Sequence, residues 1–74
     1  MINIQDIVSF MKDGWVAMDG DEEWWWFSVE PFMIDDEWWC RSGYGYKETI
    51  HISAMFDIAP ADDWTKSLIK VGGK

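Results

Sequence analysis

The run Trp24-Trp25-Trp26-Phe27 restricts what this chain can fold into more than any other stretch. In an extended strand, successive side chains point to opposite sides of the sheet. Trp24 and Trp26 therefore share one face, and Trp25 and Phe27 the other. Both faces of such a strand are aromatic. A second cluster, Trp38-Trp39, follows beyond Pro31, and the whole chain carries seven Trp in 74 residues. A chain of this size buries only about 60% of its unfolded surface. It has one core to offer, so one aromatic face packs inward while the other is expected to meet a partner subunit, a target protein or a ligand.

Charge narrows the partners. A formal net charge of −8 argues against affinity for DNA, RNA or an anionic membrane surface, all of which attract clustered Lys and Arg. Basic partners fit better, although acidity also keeps an aromatic-rich chain soluble. The single cysteine, Cys40, forms no intrachain disulfide and suits a reducing compartment. The N-terminal residues show no basic segment leading into an apolar run, and no stretch approaches the ~20 apolar residues of a membrane span. The expected location is therefore the cytoplasm.

Read in order, the apolar residues Ile4, Ile7, Val8 and Met11 follow helical spacing between Asn3, an N-cap, and Gly14, a stop, predicting a helix over Asn3–Asp13. Trp15–Met18 is a short β-favouring run, and Asp19-Gly20-Asp21-Glu22 reads as a turn whose Asp-Gly pair suits a tight hairpin into a second strand, Glu23–Val29. Pro31 ends that strand. Phe32–Ile34, Trp38–Ser42 and Tyr46–Ile52 read as further strands, separated by the acidic turn Asp35-Asp36-Glu37 and the glycine turn Ser42-Gly43-Tyr44-Gly45. In the last of these strands Ile50 and Ile52 share one face, with Thr49 and His51 on the other. Ser53 is a candidate cap for one helical turn through Phe56. Asp62–Val71 fits a helix and a strand equally well. The expected fold is α+β: an N-terminal helix packed on a small twisted antiparallel sheet of four or five strands. Residues 1–71 form a single domain, and 72–74 a flexible tail.

Catalytic patterns are thin. Cys40 and His51 are a nucleophile and a base without a signposted orienting group. Asp19, Asp21, Glu22 and Glu23 lack the glycine and closing glutamate offsets of a calcium loop, and paired zinc-ligand spacing is missing. The reading is a binding protein, not an enzyme, with no catalytic residue, metal or cofactor. The segment Arg41–Lys47 joins cations, glycines and aromatic rings directly after Trp38-Trp39. Such a turn can present backbone N–H groups to a phosphate while a ring stacks a base, worth about 1–3 kcal/mol per base. The candidate ligand-binding residues are Trp25, Phe27, Trp38 and Trp39, with Arg41, Ser42, Tyr44, Tyr46 and Lys47. Trp24 and Trp26 with the acidic Asp21, Glu22 and Asp36 form a candidate partner interface, in which carboxylates can imitate duplex phosphates.

The motifs at the two ends, Met11-Lys12-Asp13-Gly14, then Phe56-Asp57-Ile58 with Asp63-Trp64, resemble small proteins of tailed bacteriophages. In particular they are similar to the second Thoeris anti-defence family. The middle of the chain lacks that family's Arg-x-x-Trp-Asn-like stretch. The resemblance implies a homo-oligomeric phage protein in the cytoplasm of the bacterial host that binds and sequesters a nucleotide-derived immune signal. The alternative is a direct inhibitor of a host defence protein, an anti-CRISPR or anti-restriction factor using acidic turns and exposed Trp. A third possibility is a component of the phage particle.

Overall fold

The computed structural model describes residues 1–35, 37–39 and 49–72. Its strands are β1 (Gly14–Met18), β2 (Trp24–Phe27), β3 (Phe32–Ile34), β4 (Glu37–Trp39), β5 (Thr49–His51) and β6 (Ile69–Val71). The Trp run forms β2, an inner strand of a four-stranded antiparallel sheet ordered β5-β2-β1-β6. β3 and β4 pair as a separate two-stranded hairpin. With the N-terminal helical segment laid on the sheet, the fold is α+β, as expected. No helix among the described residues is long and apolar enough to cross a membrane.

The helical segment keeps its predicted face but not its predicted form. Instead of one α-helix over Asn3–Asp13 it makes successive 3-10 turns, Ile4–Asp6 and Val8–Phe10. Asn3 caps the first through a 3.0 Å bond from the Gln5 N–H. So short a segment gains little from α-helical cooperativity, and packing of Ile4, Ile7, Val8 and Met11 against the core holds it instead.

The β1–β2 connection is the turn expected over Asp19–Glu22, with a left-handed residue at its end. The Asp19 N–H donates to the Glu23 carbonyl at 3.0 Å and the Glu22 N–H to the Asp19 carbonyl at 2.9 Å, leaving Gly20–Glu22 as the loop. This is a type I turn followed by a left-handed residue. That residue is Glu22, with φ of 70°, where glycine is favoured. In the β3–β4 hairpin, Ile34 faces Glu37, and Asp35, at φ 55°, takes the left-handed position that aspartate tolerates.

The sheet is covered on both faces. On one, Trp24 (1% exposed) and Trp26 (2%) pack with Val16, Met18, Ile52 and Val71 beneath the N-terminal turns. On the other, Ala17, Phe27 and Trp38 are buried, with Trp15, Trp25, Trp64 and Leu68 packed around them. Trp24 is therefore core and not the partner interface expected of it, because the chain around Ile52 and Ile58 closes over it, and Trp26 is also buried but reaches the floor of a surface groove beside the N-terminal turns. Phe27 and Trp38 are likewise core and not ligand contacts, because the β3–β4 hairpin brings Trp38 onto the second face.

The remaining segments are tied to strand ends. Ser53, expected as a cap, sits inside the 3-10 turn Ile52–Ala54, and its hydroxyl accepts the Trp24 N–H at 2.7 Å. The ambiguous Asp62–Val71 segment divides. Asp63 caps a 3-10 turn over Trp64–Lys66, and Ile69–Val71 becomes β6. Ser67, buried between them, accepts the Met18 N–H at 2.8 Å and donates to the Trp64 carbonyl at 2.7 Å. Of the expected tail, Gly72 is described.

Two substitutions test this architecture by thermal and denaturant unfolding. At Gly14 a Cβ would stand 2.5 Å from the Phe27 carbonyl oxygen and 2.7 Å from the Trp26 ring, so Gly14→Ala is expected to cost about 3 kcal/mol. Glu22→Gly relieves the left-handed backbone and is expected to stabilise the fold by up to about 1 kcal/mol.

Candidate functional site

Two places on the molecule combine exposure with unusual chemistry. The first is the loop end of β1 and β2. Trp25 and His51 are cross-strand neighbours, and their rings stack at 4.3 Å with an interplanar angle of 8°. Alternation puts Glu23 on the same face as Trp25, and its carboxylate meets His51 Nε2 at 2.6 Å. His51 is 35% exposed and Glu23 42%, so the trio is a half-open aromatic and polar platform.

Beside it, Asp19 Oδ1 accepts the Trp38 N–H at 2.8 Å, joining the main sheet to the β3–β4 hairpin. Burial holds the Asp19 carboxyl above its ordinary range. The Trp38 N–H opposes this, Asp21 and Glu37 add to it, and His51 counters them. On an exposed turn, the Thr65 hydroxyl and N–H hold the Asp63 carboxyl below its ordinary range.

The second place is an apolar groove of about 420 Å³ on the opposite face, at the β5 edge. Ile7, Phe10 and Met11 come to it from the N-terminal turns, and Met55 and Phe56 from the segment after Ile52–Ala54. Ile50 and the buried Trp26 and Ile52 complete it. Phe10 is 87% exposed, Met55 58%, Phe56 43% and Ile50 41%. Among the described residues Lys12 is the one charged side chain in the lining, and its Nζ lies 5.4 Å from the centroid of the Trp26 ring.

Among the described residues, the candidates read from the sequence are not brought into one site. Trp25 remains half-buried on the platform, while Asp21 and Glu22 are exposed in the β1–β2 loop. Asp36, Arg41, Ser42, Tyr44, Tyr46 and Lys47 lie outside the described residues, as do Cys40 and the Trp39 side chain. Among the described residues, no group of three or more His, Cys, Asp or Glu is placed to hold a metal ion.

Sequence reasoning missed the groove. Its signal was present in Phe10, off the Ile4/Ile7/Val8/Met11 stripe, and in Met55-Phe56, an apolar pair within a turn. No protein-family model, curated protein or solved structure matches the chain.

The Asp19 linkage has a defined sign. A carboxyl whose folded value is raised contributes stability in full below its ordinary value of 3.8, and that contribution is lost as pH rises through the folded value. Asp19→Asn keeps the acceptor for Trp38 and removes the charge. It is expected to match or exceed the wild-type melting temperature at pH 7, with the gap closing in acid. Asp19→Ala strands the Trp38 N–H and is expected to cost about 1–3 kcal/mol. Unfolding of the three proteins across pH checks both.

Proposed function

We propose that this protein acts by docking onto another protein through the apolar groove, without chemistry of its own. The observation that supports this reading is the convergence of exposed Phe10, Met55, Phe56 and Ile50 around one concavity. Exposed large apolar side chains gathered in one place mark an interaction surface, where scattered ones do not. Aromatic and Met side chains are the types enriched at such interfaces. Among the described residues a phosphate entering the groove meets no cation in the lining except Lys12, which favours a protein partner there over a nucleotide. Together with the resemblance of the chain ends to a Thoeris anti-defence family, the reading is a bacteriophage inhibitor of a host defence protein in the host cytoplasm.

The second reading, sequestration of a nucleotide-derived signal, is favoured by the Trp25–His51 stack, whose half-open rings offer a surface for a base. The two readings use opposite faces of the sheet, so one comparison separates them. A photoreactive phenylalanine analogue at Phe10, exposed to host lysate, is expected to give a discrete protein adduct. The same probe at the exposed control Glu30 gives none, and calorimetry with a cyclic ADP-ribose-type ligand shows no heat. Identical adducts from both positions, or heat of binding that Trp25→Ala abolishes, would contradict the docking proposal.

A further inference from the structure

A second concavity, of about 330 Å³, opens where the first N-terminal turn, the chain around Pro60 and strand β6 meet. It shares no lining residue with the Phe10 groove. We infer that it binds a small zwitterion with an apolar side chain, of the kind an α-amino acid presents. This goes beyond the docking reading and does not depend on it.

The apolar part of the lining is Ile4, Trp24 and Ile69. Ile4 is 7% exposed and Trp24 1%, so both are packed into the core and form a fixed wall. The Trp24 ring N–H is already used in its bond to the Ala59 carbonyl, and what that side chain offers an occupant is apolar surface. The polar part is Gln5, Asp62 and Lys66, all three exposed. Among the described residues none of these three side chains makes a hydrogen bond or an ion pair. The neighbouring Asp63 carboxylate is committed to its own turn, accepting the Thr65 N–H at 3.0 Å and the Thr65 hydroxyl at 2.6 Å. Asp62 is therefore the carboxylate that faces this concavity's occupant.

Opposite charges that line one concavity without pairing select the ligand. A plain anion gains Lys66 but meets Asp62 and the field of a chain carrying −8. A plain cation gains Asp62 but meets Lys66. A ligand that is neutral overall and carries both charges satisfies the two together, and the Gln5 amide can bond either end of it. Sites for small molecules have this composition, an apolar wall with a few polar groups converging on it. A concavity near the lower end of their usual volume, about 300–1,000 Å³, suits a small occupant.

The test is a nitrogen–proton correlation NMR titration of the full chain with three ligands that share one side chain. They are leucine, leucinamide, which lacks the carboxylate, and N-acetylleucine, which lacks the ammonium. Titration to about 20 mM covers millimolar affinities. Leucine is expected to shift the amides of Gln5, Asp62, Lys66 and Ile69. It is also expected to bind at least about fivefold tighter than either analogue, the factor that one hydrogen bond to a charged group supplies. Asp62→Asn is expected to bind leucine and N-acetylleucine alike, and Lys66→Met to bind leucine and leucinamide alike. Both substitutions are at exposed side chains, and an otherwise unchanged spectrum verifies each variant's fold.

Equal shifts from all three ligands on the wild type overturn the inference, because the apolar side chain alone is then responsible. Absence of shifts at those amides with leucine overturns it, as do shifts confined to Phe10 and Met55 of the groove. A preference for leucine that both variants keep also overturns it, since other residues then hold the two charges. None of these outcomes touches the Phe10 photo-adduct, which tests the docking reading separately.

Discussion

The structure depends on buried indoles that do two things at once. Trp24, Trp26 and Trp38 each remove a large apolar surface from water, about 4–6 kcal/mol apiece at ordinary transfer values. Each also donates its ring N–H to the backbone carbonyl of a separate irregular segment. Trp26 bonds Lys12 at 3.1 Å, Trp24 bonds Ala59 at 3.1 Å, and Trp38 bonds Trp64 at 3.2 Å. Those carbonyls belong to the end of the N-terminal turns, the chain before Pro60 and the turn before β6. Segments with too few residues to form long helices or strands are thus fixed to the sheet by the side chains they cover. The strand-end bonds of Ser53 and Ser67 complete the same pattern, and no buried side-chain polar atom among the described residues is left without a partner.

This changes where recognition falls. Aromatic residues on both faces of β2 imply surplus surface only if the sheet has one cover. Here it has two: the N-terminal and Ile52–Ala54 turns over Trp24 and Trp26, and the β3–β4 hairpin with Trp64 over Phe27. Among the described residues the large apolar side chains left to solvent are not tryptophan; they include those of the Phe10, Met55 and Phe56 groove and of the β3 strand Phe32–Ile34. The acidic hairpin loop, with Asp19 holding Trp38, works first as the junction between the two sheets.

Much of the fold was legible because local and global signals agree. The stripe Ile4, Ile7, Val8, Met11 faces the core, Asn3 caps, the Trp run is a strand, and Phe32–Ile34 is the short strand its composition predicts. What misled was local too. The turn over Asp19–Glu22 was legible, but its Asp-Gly pair does not show that the left-handed residue is Glu22. Asp62–Val71 read as helix or strand because it contains one turn of the first and three residues of the second. The assignment of Trp24 to an interface failed for a different reason. Alternation along a strand says which residues share a face, but which cover lies over that face depends on contacts distant in sequence, such as Trp24 with Ala59. The groove was illegible for the same cause, since Phe10 and Met55 meet only through the tertiary fold.

The account stands on the burial of the β2 indoles within a single copy of the chain, with the Phe and Met groove left to solvent. Fluorine NMR of the isolated protein, labelled with fluorotryptophan and titrated with a soluble paramagnetic chelate, reads that burial site by site. The resonances of Trp24, Trp26 and Trp38 should keep their linewidths while that of half-buried Trp25 broadens. Broadening of Trp24 and Trp26 as strong as that of Trp25 would mean that the sheet face thought to be core is open, and would contradict it.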